Sequence, residues 1–141
     1  MMVALEEARV AQDEGEVPVG CVIVRDSVII ARAHNTREES NDPTGHAEVI
    51  ALREAGRALG TRSLRGTTLY VTLEPCPMCM AAIMLAQVDR LVYGAEDPKL
   101  GAVVSRWNLA NDAALMHSIK VTSGVLQEEC GQLLKSFFRE A

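Results

Sequence analysis

Four residues of this chain could do chemistry together: His46, Glu48, Cys76 and Cys79. One imidazole and two thiols give a zinc ion three protein ligands. Three ligands leave the fourth tetrahedral position open for a water. Glu48 lies two residues beyond the histidine, a carboxylate placed to take that water's proton and hand it on. The set is suited to hydrolysis, with one zinc per chain.

The spacing says how the chain must present these groups. Cys76 and Cys79 are three apart and share one face of a helix. Proline has no N–H to lose in a first helical turn, and the residue before a proline avoids the α region. Pro77 therefore belongs at the first helical position and Cys76 at the N-cap. Both sulfurs then lie at the positive end of a helix dipole, which favours the thiolates that zinc needs. His46 and Glu48, two apart, cannot face the same way inside a helix. They meet only if His46 stands at a helix start. The turn-forming run Asp42-Pro43-Thr44-Gly45 just before it supports that placement. Two helix N-termini then converge on one metal.

Other readings of the same residues exist. A lone C-x-x-C in an α/β chain can be a dithiol redox site, which leaves His46 and Glu48 without a purpose. A structural zinc closed by Cys130, His34 or His117 needs no neighbouring acid. Cys130 falls on an apolar helical stripe and Cys21 in mid-strand, so both read as small buried hydrophobes. A zinc-stabilised binding module without turnover is a third possibility, and Glu48 argues against it.

The elements that position the site follow from periodicity. Met1, Ala4, Leu5, Ala8 and Ala11 recur at helical spacing, and the abrupt start of that helix leads one to expect a few residues before it. Val19–Arg25 and Val28–Ala33 read as strands joined by a tight turn at Asp26-Ser27. Thr36–Gly45 reads as a polar loop. Glu48 to Leu59 reads as a helix with Val49, Ile50, Leu52 and Ala55 toward the core and Gly60 as its stop. Thr67–Leu73 is a strand, Cys79–Gln87 a helix apolar nearly all round, and Arg90–Ala95 and Ile119–Thr122 are further strands. Leu126, Cys130, Leu133, Leu134 and Phe137 form the stripe of a last helix. Strand and helix alternate after the hairpin, so the later strands should be parallel and helix-covered. The expected fold is α/β, a three-layer α/β/α sandwich around a mixed five-stranded sheet.

The chain has 141 residues, enough for one domain, 1–141, with a real core. Its 48% apolar and 23% charged residues are those of a soluble globular protein. No apolar run is long enough for a membrane span. No signal-type segment opens the chain, which points to the cytoplasm, where paired cysteines are read as metal ligands before disulfides. The net charge of −5 argues against a generic nucleic-acid binder. It leaves room for local basic faces, such as Arg53 with Arg57 and Lys135 with Arg139, whose default role is a solvated helix surface.

The pairing of His46-Ala47-Glu48 with Pro75-Cys76-Pro77-Met78-Cys79 resembles the signature of zinc-dependent base deaminases. Beyond it, Gly15–Gly20, Asn35, Asp42-Pro43-Thr44, Leu69–Cys76, Gly94-Ala95 with Asp97, Lys99 and Gly101, and Phe137-Phe138-Arg139 make nearly the whole chain similar to the bacterial tRNA-specific adenosine deaminases. These stand within the cytidine deaminase-like superfamily. The resemblance implies a homodimer that converts the wobble adenosine of a tRNA anticodon stem-loop to inosine. It further implies that Asn35 hydrogen-bonds the flipped base, that Val17 and Pro18 line its pocket, that Asp97 touches a ribose, and that the last helix reaches RNA. Pro77 and Ser40-Asn41-Asp42-Pro43 also resemble guanine deaminases of the same superfamily. The alternative is thus a deaminase of a free purine base or nucleoside.

Overall fold

A computed structural model describes residues 1–115 and 117–140. Helix α1, Met2–Asp13, leads into the hairpin β1, Gly20–Arg25, and β2, Val28–His34. Asp26 and Ser27 close the hairpin with φ of 50° and 64°. Both are left-handed, the backbone that a two-residue turn between twisted strands demands. Then come α2, Arg37–Ser40; α3, Ala47–Leu59; β3, Thr67–Leu73; α4, Pro77–Leu85; and β4, Arg90–Ala95. Two short 3-10 turns precede β5, Lys120–Thr122, and α5, Gln127–Glu140.

The sheet runs β2-β1-β3-β4-β5. β1 is antiparallel to β2 and β3, while β3, β4 and β5 are parallel. The mixed five-stranded sheet expected from the sequence is the one observed. α3 and α4 pack together on one face, and α1 and α5 touch on the other. The main core lies under α3 and α4, where Ile23, Leu69, Val71, Leu91 and Tyr93 of the sheet meet Met80, Ile83 and Met84. α5 rests on β3, β4 and α1. Its Cys130 sits over Gly94 so closely that a Cβ there would come within 2.5 Å of the sulfur. Cys130 is a packing residue, as its place on the apolar stripe predicts.

Three details differ from the sequence reading. The core-facing residues of α3 are Ala47, Ala51 and Ala55, with Ile50 and Leu52 only partly buried at the flanks and Val49 half-buried. Small residues let the helix axis approach the sheet, and the larger ones fill the sides. The Thr36–Gly45 loop contains α2, because the buried carboxylate of Glu16 accepts hydrogen bonds from the Glu38 and Glu39 N–H groups at 3.2 and 2.8 Å. That contact spans more than twenty residues and leaves no local signal. α4 begins at Pro77 and ends at Leu85, two residues earlier than its apolar run, since Gln87 turns left-handed at φ 63°.

Candidate active site

The site forms at one end of the sheet, where the segments following β2, β3 and β4 converge with the segment entering β1. His46 is the N-cap of α3, extended at φ −81° and ψ 145°. Cys76 is the N-cap of α4 at φ −74° and ψ 173°, followed by Pro77 in the first turn. Each helix start is placed as the spacing requires, and each presents its ligand just outside the regular backbone. His46 Nδ1 lies 3.7 Å from Cys76 Sγ and 3.4 Å from Cys79 Sγ. All three ligand atoms fall within 4.8 Å of one another.

These separations fit a zinc ion. Bonds of roughly 2.1 Å to nitrogen and 2.3 Å to sulfur at a tetrahedral angle put the two ligand atoms about 3.5 Å apart. The protonation pattern agrees. The Cys79 thiol donates to Cys76, and with His46 alongside it outweighs burial and holds Cys76 down at about 4. Cys79 is pushed far up by that same hydrogen bond and by burial. Contact with Cys76 raises His46 against the cost of burial. A cation here would displace the protons on Cys79 and His46, which is how thiol and imidazole sites load metal.

Glu48 is buried in the first turn of α3. Burial, reinforced by the Cys76 charge, raises it to about 7. A carboxyl poised there exchanges protons near neutral pH. It shares a cavity of about 620 Å³ with His46, Cys76, Asn35, Val17 and Asp97. The cavity therefore gathers every sequence-predicted site residue except Cys79, which is buried behind it, and Pro18, which is buried without lining it. Asn35 also makes a structural contact that its sequence position did not reveal. Its Oδ1 accepts a hydrogen bond from the Ala47 N–H at 2.8 Å and so caps α3 beside His46.

The other proposed ligands are engaged elsewhere. His34 lies between Glu7, 2.9 Å from Nδ1, and Glu14, 3.0 Å from Nε2. His117 Nε2 donates to the Val88 carbonyl at 2.7 Å. Among the described residues, His46, Cys76 and Cys79 are the one group arranged to hold a metal.

Several cavity residues were not singled out as site residues from the sequence. Arg37, Lys99 and Lys135 bring cations to the lining, Leu100 and Phe138 apolar surface, and Glu74 a buried carboxylate. Glu74 accepts from the N–H groups of Asp97, Val103, Val104 and Ser105 at 2.9 to 3.1 Å, and from the Ser105 hydroxyl. Burial works against its charge, but these hydrogen bonds win and hold it below the usual carboxylate range. An acid at the end of an apolar strand, directly before Pro-Cys, was the available signal. A buried charge there needs donors, and the loop after β4 brings them.

Comparison with known proteins agrees with this geometry. The family model described as the cytidine and deoxycytidylate deaminase zinc-binding region matches residues 1–95. A tRNA-specific adenosine deaminase of Bacillus subtilis is 51% identical over 140 residues, 99% of this chain and 87% of the relative. One from Aquifex aeolicus is 46% identical, covering 99% and 92%. A solved structure from a study of A-to-I editing by tRNA:A34 deaminases superposes with a TM-score of 0.92 at 48% identity, covering 95% of this chain and 97% of that one. A guanine deaminase from Nitrosomonas europaea, at 24% identity and a TM-score of 0.81 over 95% of this chain and 80% of that one, shares the fold. With its His-Cys-Cys cluster and buried glutamate in that fold, this chain belongs to the zinc-binding deaminases, in the family of the tRNA-specific adenosine deaminases.

Proposed function

We propose that residues 1–141 act as one catalytic domain that deaminates the wobble adenosine of a tRNA anticodon stem-loop to inosine. The observation that carries the reading is the convergence of the His46-Cys76-Cys79 cluster and Glu48 on a cavity wide enough for a purine nucleoside. Identity near one half to tRNA-specific adenosine deaminases, over almost the whole chain, supports tRNA as substrate. The alternative, a deaminase of free purines, draws on two short stretches, Pro77 and Ser40-Asn41-Asp42-Pro43, and on likeness of fold at 24% identity.

His46, Cys76 and Cys79 would hold one zinc per chain, which when bound activates a water for attack at neutral pH. The remaining steps belong to the protein. Asn35, held by its bond to Ala47, presents its amide to the base edge from the cavity wall. Val17 packs beside the base, and buried Pro18 stiffens the segment that carries it. Asp97 accepts from the sugar at the cavity rim. Glu48 takes a proton from the attacking water and delivers it to the ring nitrogen beside the carbon under attack. It then takes the remaining proton from the oxygen that has added to the ring and passes it to the amine, which leaves as ammonia as the carbonyl forms. One carboxyl near pKa 7 can do both. Arg37, Lys99 and Lys135 give the cavity the cations that flanking phosphates require in a chain of net charge −5.

We further infer a homodimer. Leu85 of α4 is 76% exposed and Met78 37%, and α5 lies across the sheet and leaves them uncovered. Among the described residues no helix is long and apolar enough to cross a membrane. Four free cysteines suit a cytoplasmic setting. The test is incubation of the zinc-loaded chain with a wobble-adenosine anticodon stem-loop and, separately, with adenosine, guanine and cytidine. Inosine and ammonia from the stem-loop are expected. Release from free guanine alone would establish the alternative.

A further inference from the structure

Asp97 to Leu100 form one rim of the cavity, and a single side chain organises the segment that carries them, Asp97 to Ser105. Glu74 is 2% exposed and stands between the end of β3 and the metal-binding turn at Cys76. One of its oxygens accepts from the Val103, Val104 and Ser105 N–H groups at 3.0, 2.9 and 3.0 Å. The other takes the Asp97 N–H at 3.1 Å and the Ser105 hydroxyl. The rim is wrapped tightly around this carboxylate. A Cβ at Gly101 would collide with both the Glu74 carboxyl and the Asp97 carbonyl. The Ala102 N–H donates back to the Pro75 carbonyl at 2.8 Å, beside the same turn. Asp97 in turn folds the next residues, accepting from the Lys99 and Leu100 N–H groups at 3.0 and 3.2 Å.

We infer that Glu74 is a positioning residue for substrate: it fixes the rim that carries Asp97, Lys99 and Leu100 relative to the metal-binding turn, and so sets how the nucleic acid flanking the target base is held. The argument is one of economy. Asp97, Lys99 and Leu100 line the cavity, and Lys99 and Leu100 are exposed enough to meet a ligand larger than one base. The bonds from Asp97 to the Lys99 and Leu100 N–H groups shape this nine-residue stretch locally but do not anchor it to the metal-binding turn. Five donors gathered on one buried carboxylate do, because a charged acceptor forms the stronger hydrogen bonds and each would be costly to leave unmade. Both Glu74 oxygens are spent on donors of the Asp97–Ser105 segment and none of its hydrogen bonds reaches a metal ligand, so its effect on turnover should come through that segment. This rests on the reading of the substrate as a tRNA anticodon stem-loop.

The experiment uses the full zinc-loaded chain and the variants Glu74→Gln, Ser105→Ala and Gly101→Ala. Zinc content, kcat and KM are measured with the wobble-adenosine stem-loop, and amide hydrogen exchange is followed across residues 97–106 and 77–85. Glu74→Gln should keep its zinc and its kcat, raise KM by about 10-fold, and speed exchange in 97–106 alone. Ser105→Ala, which removes one donor, should shift KM in the same direction by less. Loss of zinc, a fall in kcat at constant KM, or unchanged exchange in 97–106 would overturn the inference and make Glu74 a support of the metal turn. Should Glu74→Gln fail to fold, Ser105→Ala and Gly101→Ala decide: a raised KM in either supports the inference, and an unchanged KM in both ends it. A wild-type chain inactive on the stem-loop would defeat the substrate reading instead, and the exchange data would then judge the tether by themselves.

Discussion

At the scale of residues, the proposed mechanism separates holding a metal from moving a proton. His46, Cys76 and Cys79 are close enough to share protons, and Glu48 is buried beside them with its affinity for a proton raised to about 7. Glu48→Ala should therefore retain zinc and fold but lose deamination by ~10²–10⁴, the usual yield of a positioned acid or base. Turnover near the wild-type rate in that variant would remove Glu48 from the proton path. Cys79→Ser should lose most of the zinc, and Cys130→Ser, whose sulfur is spent on packing against Gly94, should keep it. Equal zinc loss in the two would mean that the thiol of Cys130 reaches the metal. Metal analysis of purified protein is enough to tell these outcomes apart.

Elements are joined here by buried or half-buried carboxylates as much as by apolar contact. Glu16 holds α2, Glu74 holds the loop after β4, and half-buried Glu7 of α1, joined by exposed Glu14 just past the helix end, clasps His34 of β2. The last clasp titrates. Burial lowers the affinity of His34 for a proton, but its hydrogen bonds to Glu7 and Glu14 outweigh that and raise its pKa above the ordinary 6.5. The unfolded chain therefore binds that proton less tightly than the folded one. The clasp contributes in full below about pH 6.5 and is lost as pH rises through the raised folded value. Thermal midpoints of the wild type and His34→Gln should thus differ most at mildly acidic pH and converge toward pH 8–9. A gap that stayed constant across that range would show that His34 acts through shape and not charge.

For the whole molecule, the question is what covers α4. Its inner side chains, Met80, Ile83 and Met84, are sealed in the core, yet Met78 reaches solvent in the first turn after Cys76 and Leu85 about two and a half turns beyond it. A second copy docked there would bury this face and lie close to the metal site. Light scattering at micromolar concentration should give about twice the 15.3 kDa of one chain. Leu85→Lys should shift the protein toward the single-chain mass and weaken binding of the stem-loop more than that of free adenosine. A wild-type mass of one chain would rule out the dimer.

Sequence alone determined the order of the five strands and main helices along the chain, the hairpin at Asp26-Ser27 and which residues, His46, Glu48, Cys76 and Cys79, would be brought together. These depend on local rules: periodicity, turn chemistry, and a proline that fixes where a helix begins. Even the odd spacing of His46 and Glu48 was informative, since it can work only at a helix start. The tertiary structure decided what depends on distant partners. It showed that alanines, not the larger residues, carry α3 onto the sheet, that a helix interrupts the loop before His46, and that Asn35 caps α3. It gathered Arg37, Lys99 and Lys135 around one cavity and placed Glu74 under its rim. A buried carboxylate is legible in sequence only as an acid. Which N–H groups satisfy it is set by the close approach of segments some twenty to thirty residues apart, and no local pattern encodes that approach.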